Sequence, residues 1–278
     1  MAIHAQNRWI KRKSLAGKRH PLKNGEVFKW VVKRLVRGWS PEQISGRMKL
    51  VFKADLKMRI CPETIYSFVY SNEFKCRKFW EYFPRGHRVR RKWHGRKVIS
   101  VSIPYRISIH ERPEVVNQNL EFGHFEGDSV EGRNHKSAVH TEVERFSRMY
   151  FALKVEKISS GEALRAQERI FSGLPVRSVT LDNGRENHLH FNLEKLGIKT
   201  YFADPYSSWQ RGSNEYHNGL FRRYFPKKTD FAEITQEEID DCVEEINNTP
   251  RKCLGYYTPY EVFLAKLNNK RVAIQPRM

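Results

Sequence analysis

The apolar and polar positions at the start of the chain predict three short helices. Apolar side chains recur at helical spacing through residues 26–37 and stop at Gly38. Ser40-Pro41-Glu42-Gln43 is typical of a helix start, because Ser can cap, Pro fits the first turn and Gln can complete a capping box. Pro62 opens a third helix. The pattern favours a helix-turn-helix-type module, although the connection near 50–60 exceeds the usual 3–4-residue turn and leaves a generic three-helix bundle open.

From about residue 120 the pattern changes to strands alternating with helices. Strands are predicted at 122–130, 138–145, 149–155, 179–182 and 199–202, and helices at 159–170, 186–196, 213–224 and 235–247. An early run of strands followed by strand–helix alternation indicates an α/β core with a mixed sheet.

A glycine-containing basic stretch separates these two parts. Residues 84–97 hold seven Lys and Arg side chains and two glycines, a composition typical of a linker that can also follow a phosphate backbone. We therefore predict a basic helical DNA-binding module over 1–83, a basic linker over 84–117 and an α/β core over 118–278.

The distribution of charge indicates the partner. The 278 residues include 51 Lys and Arg against 31 Asp and Glu, a net charge of +20. Residues 1–100 hold 26 basic and 6 acidic side chains, so the remainder of the chain is neutral. Charge of one sign on one part of a chain favours nucleic acid as the partner.

Several other classes of protein are disfavoured by the sequence. No apolar run approaches the roughly 18–20 residues of a transmembrane helix, and the basic N-terminus lacks an apolar signal core. The four cysteines form no C-x2-C pair that would indicate a zinc site. We expect a cytoplasmic, nucleoid-associated protein without membrane contact.

Candidate DNA contacts occur in both parts of the chain. In the first part they are the start of the second helix and the outward positions of the third: Ser40, Glu63, Thr64, Tyr66 and Ser67. In the second part they are an aromatic–guanidinium pair and a basic cluster: Trp209, Arg211, Arg222, Arg223, Lys227 and Lys228. Loop packing and a solvated helix face are the structural alternatives for the second group.

Three carboxylates lie at positions where an acidic side chain without a specific role is unexpected. Asp128 lies in an apolar strand, Asp182 ends another strand where the chain turns, and Glu215 lies in the first turn of a helix. Each has an ordinary interpretation, as a surface strand residue, a turn residue and a helix-dipole partner. Converging carboxylates repel one another unless a cation joins them, so together they favour Mg²⁺ or Mn²⁺, with two ions about 3.5–4 Å apart for phosphodiester chemistry.

Three longer motifs contain these carboxylates. They are His124-Phe-Glu-Gly-Asp128, Leu181-Asp-Asn-Gly184 and Trp209-Gln-Arg-Gly-Ser-Asn-Glu215. They closely resemble bacterial insertion-sequence transposases of the family named after insertion sequence thirty. The resemblance implies a ribonuclease H-like, retroviral-integrase-type core in which Asp128, Asp182 and Glu215 form the acidic triad.

Some positions depart from the pattern of that family. Cys61 stands where a helix-capping Ser is usual, which weakens the start of the third helix, and Glu142 replaces a usual Leu. Members of the family commonly carry another DNA-binding segment ahead of residue 1, so we expect this copy to be short at its N-terminus.

The expected function is a transposase, acting as a homo-oligomer because two element ends are handled together. It would bind double-stranded DNA, both the ends of its mobile element and the target, and catalyse metal-dependent DNA cleavage and strand transfer. One alternative is a catalytically idle, transposase-derived repressor, which loss of a carboxylate would indicate, and all three are present. The other is a ribonuclease H-like nuclease without strand transfer, which would have no use for a DNA-reading module at the N-terminus.

Overall fold

The chain forms two compact units, residues 1–90 and 91–278, in a computed structural model. The structure describes residues 22–70, 79–82, 103–133, 137–205 and 207–268. Within these ranges no helix is long and apolar enough to cross a membrane.

In its described residues the first unit contains three helices of eight residues or more, which confirms that this part is helical. They are α1 (Gly25–Val36), α2 (Pro41–Val51) and α3 (Pro62–Val69). Ser40 and Gln43 form the predicted capping box of α2, whereas Cys61 provides no side-chain cap for α3. The helices enclose an apolar core that includes Val31, Leu35, Ile44, Met48, Ile65 and Phe68.

The connection between α2 and α3 is longer than a helix-turn-helix turn. It contains a 3₁₀ turn at Leu56–Met58, which Asp55 caps by accepting a hydrogen bond from the Lys57 N–H at 2.8 Å. The buried Ser45 hydroxyl of α2 donates to the Ile60 carbonyl oxygen at 2.6 Å. A side-chain bond thus holds the end of this connection against α2.

The second unit is centred on a five-stranded mixed sheet. Its strands are β1 (His124–Glu131), β2 (Ala138–Glu144), β3 (Tyr150–Val155), β4 (Ser178–Leu181) and β5 (Lys199–Phe202). They lie in the order β3-β2-β1-β4-β5; β2 pairs antiparallel with both β1 and β3, β4 pairs parallel with β1, and β5 pairs parallel with β4. This is the ribonuclease H-like arrangement, so the predicted α/β core with a mixed sheet is confirmed.

Helices cover both faces of the sheet. They are α4 (Ser160–Phe171), α5 (Gly212–Tyr224), α6 (Gln236–Asn247) and α7 (Pro259–Leu267). Phe125 of β1 and Leu181 of β4 share one apolar cluster with Phe171 of α4. Val143 of β2 belongs to another cluster with Phe221 of α5, because alternate strand residues face opposite sides.

The last part of the predicted linker is folded onto the sheet. Ser108 forms a bridge to Phe202 of β5, and the buried Arg112 donates to the Thr180 hydroxyl of β4 at 3.0 Å. The basic stretch that suggested a linker ends before this point, and residues 83–102 lie outside the described part of the chain. From Ile103 onward the chain therefore belongs to the core.

The single helix predicted over 186–196 is wrong. The chain forms a 3₁₀ turn at Arg185–Asn187 and one helical turn at Phe191–Glu194. The amide of Asn187 donates back to the Asp182 side chain at 2.8 Å, and the buried His190 is bonded to Thr200 at 2.7 Å. These side-chain bonds compete with a continuous helical ladder.

Candidate active site

The strand register places Asp128 and Asp182 side by side. Glu126 of β1 is paired with Thr180 of the parallel strand β4. Asp128 and Asp182 each lie two residues further along, so both lie near the carboxyl ends of adjacent strands and face the same side of the sheet. Asp182 also accepts from the backbone N–H of Gly184 at 2.9 Å, which orients its carboxylate in the turn after β4.

A guanidinium group joins the two carboxylates. The Nη1 atom of Arg211 lies 3.6 Å from Asp128 Oδ1, and its Nη2 atom lies 3.4 Å from Asp182 Oδ2. Nη1 also donates to the Gly127 carbonyl oxygen at 2.8 Å, and only 11% of the Arg211 side chain is exposed. Both carboxylates are therefore directed toward one cation.

Hydrogen bonds fix the first turns of α5 against β1. The Asn214 backbone N–H donates to Glu126 Oε2 at 2.9 Å, and its side-chain amide donates to the Glu126 carbonyl oxygen at 2.8 Å. Glu126 is fully buried and also pairs with Arg145. Glu126 shares the face of Asp128, as the period-two pattern predicts, but its carboxylate serves Arg145 and the start of α5.

Asn218, one turn further along α5, holds the Asp128 carboxylate. Its amide donates to Asp128 Oδ2 at 3.0 Å and to Asn214 Oδ1 at 2.6 Å. Its carbonyl oxygen accepts from the hydroxyls of Thr141 at 3.1 Å and Tyr150 at 3.0 Å. Because an ionised carboxylate can only accept hydrogen bonds, the NH₂ group of this amide must face Asp128, and its oxygen faces the two hydroxyls.

Glu215 lies in the first turn of α5, three residues before Asn218, and this spacing places two side chains on one helix face. Its side chain is exposed. Within the described ranges, no three His, Cys, Asp or Glu side chains are grouped closely enough to hold a metal ion. The structure therefore brings Asp128 and Asp182 together through Arg211, without Glu215 as a third member of the group.

Several acidic side chains lie close together at this edge of the sheet, and their pKa values are shifted. Burial raises the pKa of Asp128, Arg211 opposes that shift, and Asp182 adds to it by repulsion. Burial also raises the pKa of Glu186 to about 6, with contributions from Asp182 and Asp128. The Glu186 carboxylate lies against Gly184, which has no Cβ. Sequence analysis missed Glu186, because only the turn after β4 carries it toward the aspartates.

A second buried polar cluster lies on the opposite face of the sheet. Glu142 is fully buried, and its Oε1 atom accepts from His140 Nε2 at 3.0 Å and from the Gln167 amide of α4 at 3.0 Å. This carboxylate also occupies the space above Gly127, where an added Cβ would lie 2.5 Å from Oε1 and 2.9 Å from Leu181. Glu142 at a usual Leu position is thus accommodated by two hydrogen bonds and a glycine.

The candidate DNA contacts of the first unit differ in what their side chains do. The Ser40 hydroxyl accepts from the Gln43 N–H and caps α2, Thr64 is bonded to Cys61 at 3.0 Å, and Tyr66 donates to the Glu42 carboxylate at 3.1 Å. On the exposed side of α3 lie Glu63 and Ser67.

The candidate DNA contacts of the second unit also differ in exposure and in the contacts of their side chains. Trp209 is 71% exposed, and Arg223, Lys227 and Lys228 are also exposed. Arg222 is half-buried and donates to the Glu131 carbonyl oxygen at 2.6 Å, while Arg211 lies against the aspartates. Trp209, Lys227 and Lys228 are therefore the candidates whose side chains face solvent.

Comparison with known proteins identifies the class as transposases of bacterial insertion sequences. The chain is 38% identical over 251 residues to "Transposase for insertion sequence element IS4351" of Bacteroides fragilis, covering 88% of this chain and 75% of that protein. It is also 38% identical over 252 residues to the IS30C transposase InsI of Escherichia coli K12, covering 86% of this chain and 64% of that protein. The chain belongs to the IS30 family of insertion-sequence transposases, so the predicted resemblance is confirmed.

The chain was also compared with protein-family models and with solved structures. No protein-family model matches the chain. Among solved structures, the catalytic core domain of BIV integrase aligns with a TM-score of 0.44 and 19% sequence identity, covering 53% of this chain and 97% of that domain.

Proposed function

We propose that this chain binds the ends of its mobile element and catalyses DNA cleavage and strand transfer, with Asp128, Asp182 and Glu215 as the catalytic carboxylates. Membership of a transposase family supports DNA as the substrate. One observation carries the assignment of the site: Arg211 lies within ion-pair distance of both aspartates. Their carboxylates therefore share one cation-sized space at the carboxyl ends of neighbouring strands.

Mg²⁺ or Mn²⁺ fits the chemistry of these residues. The candidate donors are carboxylate oxygens, which hard divalent ions prefer. Asp128 and Asp182 would hold the ion from the sheet, and Glu215 would complete the set from α5. A bound pair of ions would stabilise charge on the attacking and leaving oxygens of a phosphodiester.

The protein's own groups would orient the carboxylates and the DNA. Asn218 holds Asp128 through Oδ2, which leaves Oδ1 facing the shared space. Glu126 fixes the start of α5 and with it the position of Glu215. The exposed ring of Trp209 is suited to stacking on a base at the edge of the site.

End recognition is assigned to the first unit. The excess of basic over acidic side chains falls in residues 1–100, and α3 presents Glu63 and Ser67 to the outside. Phosphate neutralisation on this scale makes binding strongly salt-dependent, with about 10³–10⁵ lost in affinity between roughly 50 and 200 mM salt if 6–10 phosphates are contacted. Because two ends must be processed together, the active form would be a homo-oligomer.

The test uses the full chain, an oligonucleotide that carries an element end, and Mg²⁺ or Mn²⁺. Asp128→Asn, Asp182→Asn and Glu215→Gln each remove one carboxylate while keeping its shape. Cleavage and strand transfer should fall by more than about 100-fold in each, since losses in outer-sphere residues alone cost about 10- to 100-fold. Glu156→Gln, at an exposed carboxylate on the end of β3, is the matched control and should cut like the parent.

Three results would contradict the proposal. Unchanged cleavage in the three carboxylate variants would refute the catalytic assignment. A parent that binds ends without cutting would identify a transposase-derived repressor. A parent that cuts without joining would identify a nuclease.

A further inference from the structure

Arg211 occupies an unusual position for an arginine in a predicted DNA-contact motif. Its guanidinium lies between Asp128 and Asp182 at 3.6 and 3.4 Å, and the carbonyl oxygen of Gly127 accepts its one short hydrogen bond at 2.8 Å. Trp209, two residues earlier, is 71% exposed, whereas the Arg211 side chain is 11% exposed. The two neighbours of one motif therefore point into different surroundings.

The backbone leaves Arg211 little freedom to lie elsewhere. It is the last residue before α5, and Asn214, three residues later, is bonded to Glu126 by both its backbone and its side chain. The position of the Arg211 Cα is thus fixed against β1. Burying a guanidinium is costly unless it is paired, and the two aspartates provide that pairing.

The same distances indicate that Arg211 can be displaced. Charge-assisted N–H···O bonds in proteins are about 2.7–2.9 Å long, and both contacts to the aspartates are longer. One positive charge is shared between two carboxylates, and the Nε atom of Arg211 is buried without a hydrogen-bond partner in the structure. A divalent cation would offer two charges to the same oxygen atoms.

We propose that Arg211 is a positioning residue that serves as an internal counter-ion for Asp128 and Asp182 and competes with a divalent cation for their oxygens. This inference rests on the proposed function, because it takes these two aspartates as the metal-binding pair. With the guanidinium in place, its positive charge offsets the repulsion between the two carboxylates, which can then lie close together. When a cation binds between them, the guanidinium gives up its contacts to Asp128 Oδ1 and Asp182 Oδ2.

The experiment measures Mn²⁺ binding to the full chain without DNA, by calorimetry or by the electron paramagnetic resonance of free Mn²⁺. Arg211→Gln removes the competing charge and should bind Mn²⁺ about three- to tenfold tighter, as expected for the loss of one partly screened cation. Arg211→Lys restores a cation and should bind close to the parent. Arg169→Gln, at an exposed position of α4, makes the same change in net charge and should bind like the parent.

Thermal unfolding gives a second readout that does not depend on activity. In EDTA, Arg211→Gln should melt below the parent because the two aspartates lose their counter-ion. Saturating Mn²⁺ should remove most of that difference. A difference in melting temperature that persists unchanged in Mn²⁺ would show that Arg211 acts through packing and would overturn the proposal.

Asp128→Asn separates the two proposals. If Asp128→Asn loses Mn²⁺ binding and Arg211→Gln binds no tighter than Arg169→Gln, the counter-ion role is refuted while the metal site stands. If Asp128→Asn binds Mn²⁺ as well as the parent, the metal does not use this carboxylate and both proposals fail.

Discussion

Helix α3 lies in the first unit and helix α5 in the second, and different interactions keep each helix in place within its unit. α3 is buried through the apolar side chains of Ile65, Phe68 and Val69. The first two turns of α5 are held by hydrogen bonds from Asn214 and Asn218, and only its later turns bury Leu220 and Phe221. Apolar packing tolerates side chains of similar volume, whereas hydrogen bonds specify which atom faces which. Hydrogen bonds of this kind suit α5, because the proposed role of Glu215 requires a defined position of that helix.

The largest effect is expected where apolar packing is the main support of a helix. Ile65 is fully buried in the core of the first unit, so Ile65→Ala should lower the free energy of unfolding of that unit by about 2–5 kcal/mol. Ile65→Leu keeps the volume and should cost less than about 1.5 kcal/mol. Urea unfolding followed by circular dichroism measures both. A large loss in Ile65→Leu would show that α3 also depends on shape at the level of single atoms.

The corresponding volume-conserving change should be harmful on α5. Asn218→Leu removes the acceptor of the Tyr150 hydroxyl and frees Oδ2 of the Asp128 carboxylate, whereas the Thr141 hydroxyl keeps the Asp128 carbonyl oxygen as an acceptor at 3.2 Å. We expect a loss of about 1–3 kcal/mol in stability from the unsatisfied groups. Cleavage should fall by about 10- to 100-fold, as for other residues that orient metal ligands, with DNA affinity unchanged.

Tyr150→Phe is the graded control for that result. It removes one of the two hydroxyls and leaves the amide of Asn218 free to hold Asp128. Its cleavage rate should lie between those of the parent and Asn218→Leu. Equal cleavage by the parent and Asn218→Leu would mean that Asp128 is oriented by its other contacts.

The smallest effect depends on pH. His217 of α5 is buried, donates from Nδ1 to the Ser213 carbonyl oxygen at 2.6 Å and stacks on Tyr150. Burial lowers the pKa of His217 from 6.5 to about 3, so between these values the unfolded chain takes up a proton that the folded chain does not. Its contribution to stability is complete above pH 6.5 and is lost as pH falls toward 3, at up to about 1.4 kcal/mol per pH unit.

Urea unfolding at pH 7 and pH 5 tests this expectation. The parent should lose about 2 kcal/mol more between these values than His217→Gln does. His188→Gln, at an exposed histidine, should behave like the parent. If His217→Gln keeps the parent's full pH dependence, another group is responsible for it.

Local signals in the sequence predicted much of the fold. Ser40-Pro41 and Pro62 mark the starts of α2 and α3 where the structure has them, because capping and proline act within one turn. Segments of strand-like composition predicted all five strands of the sheet, and the end of a strand located Asp182. That Asp128 lies beside Asp182 depends in addition on the order and register of the strands, which are set by contacts between distant parts of the chain.

The contacts that could not be predicted all depend on that long-range geometry. Nothing in the local sequence shows that Asn218 meets Asp128, or that Arg211 turns inward while Trp209 turns outward. Helix α7 (Pro259–Leu267) was missed, although Thr258 and Glu261 form a capping box there. Glu215 as the third carboxylate remains a prediction from the motif.

The packing of Glu142 over Gly127 restricts how this strand can change over generations. An alanine at 127 would bring its Cβ to 2.5 Å from the Glu142 carboxylate and to 2.9 Å from Leu181, and a leucine at 142 would leave His140 and Gln167 without their shared acceptor. Neither replacement is a neutral first step. Because Gly127 directly precedes Asp128, this restriction narrows the sequences that can be reached around the strand that carries Asp128.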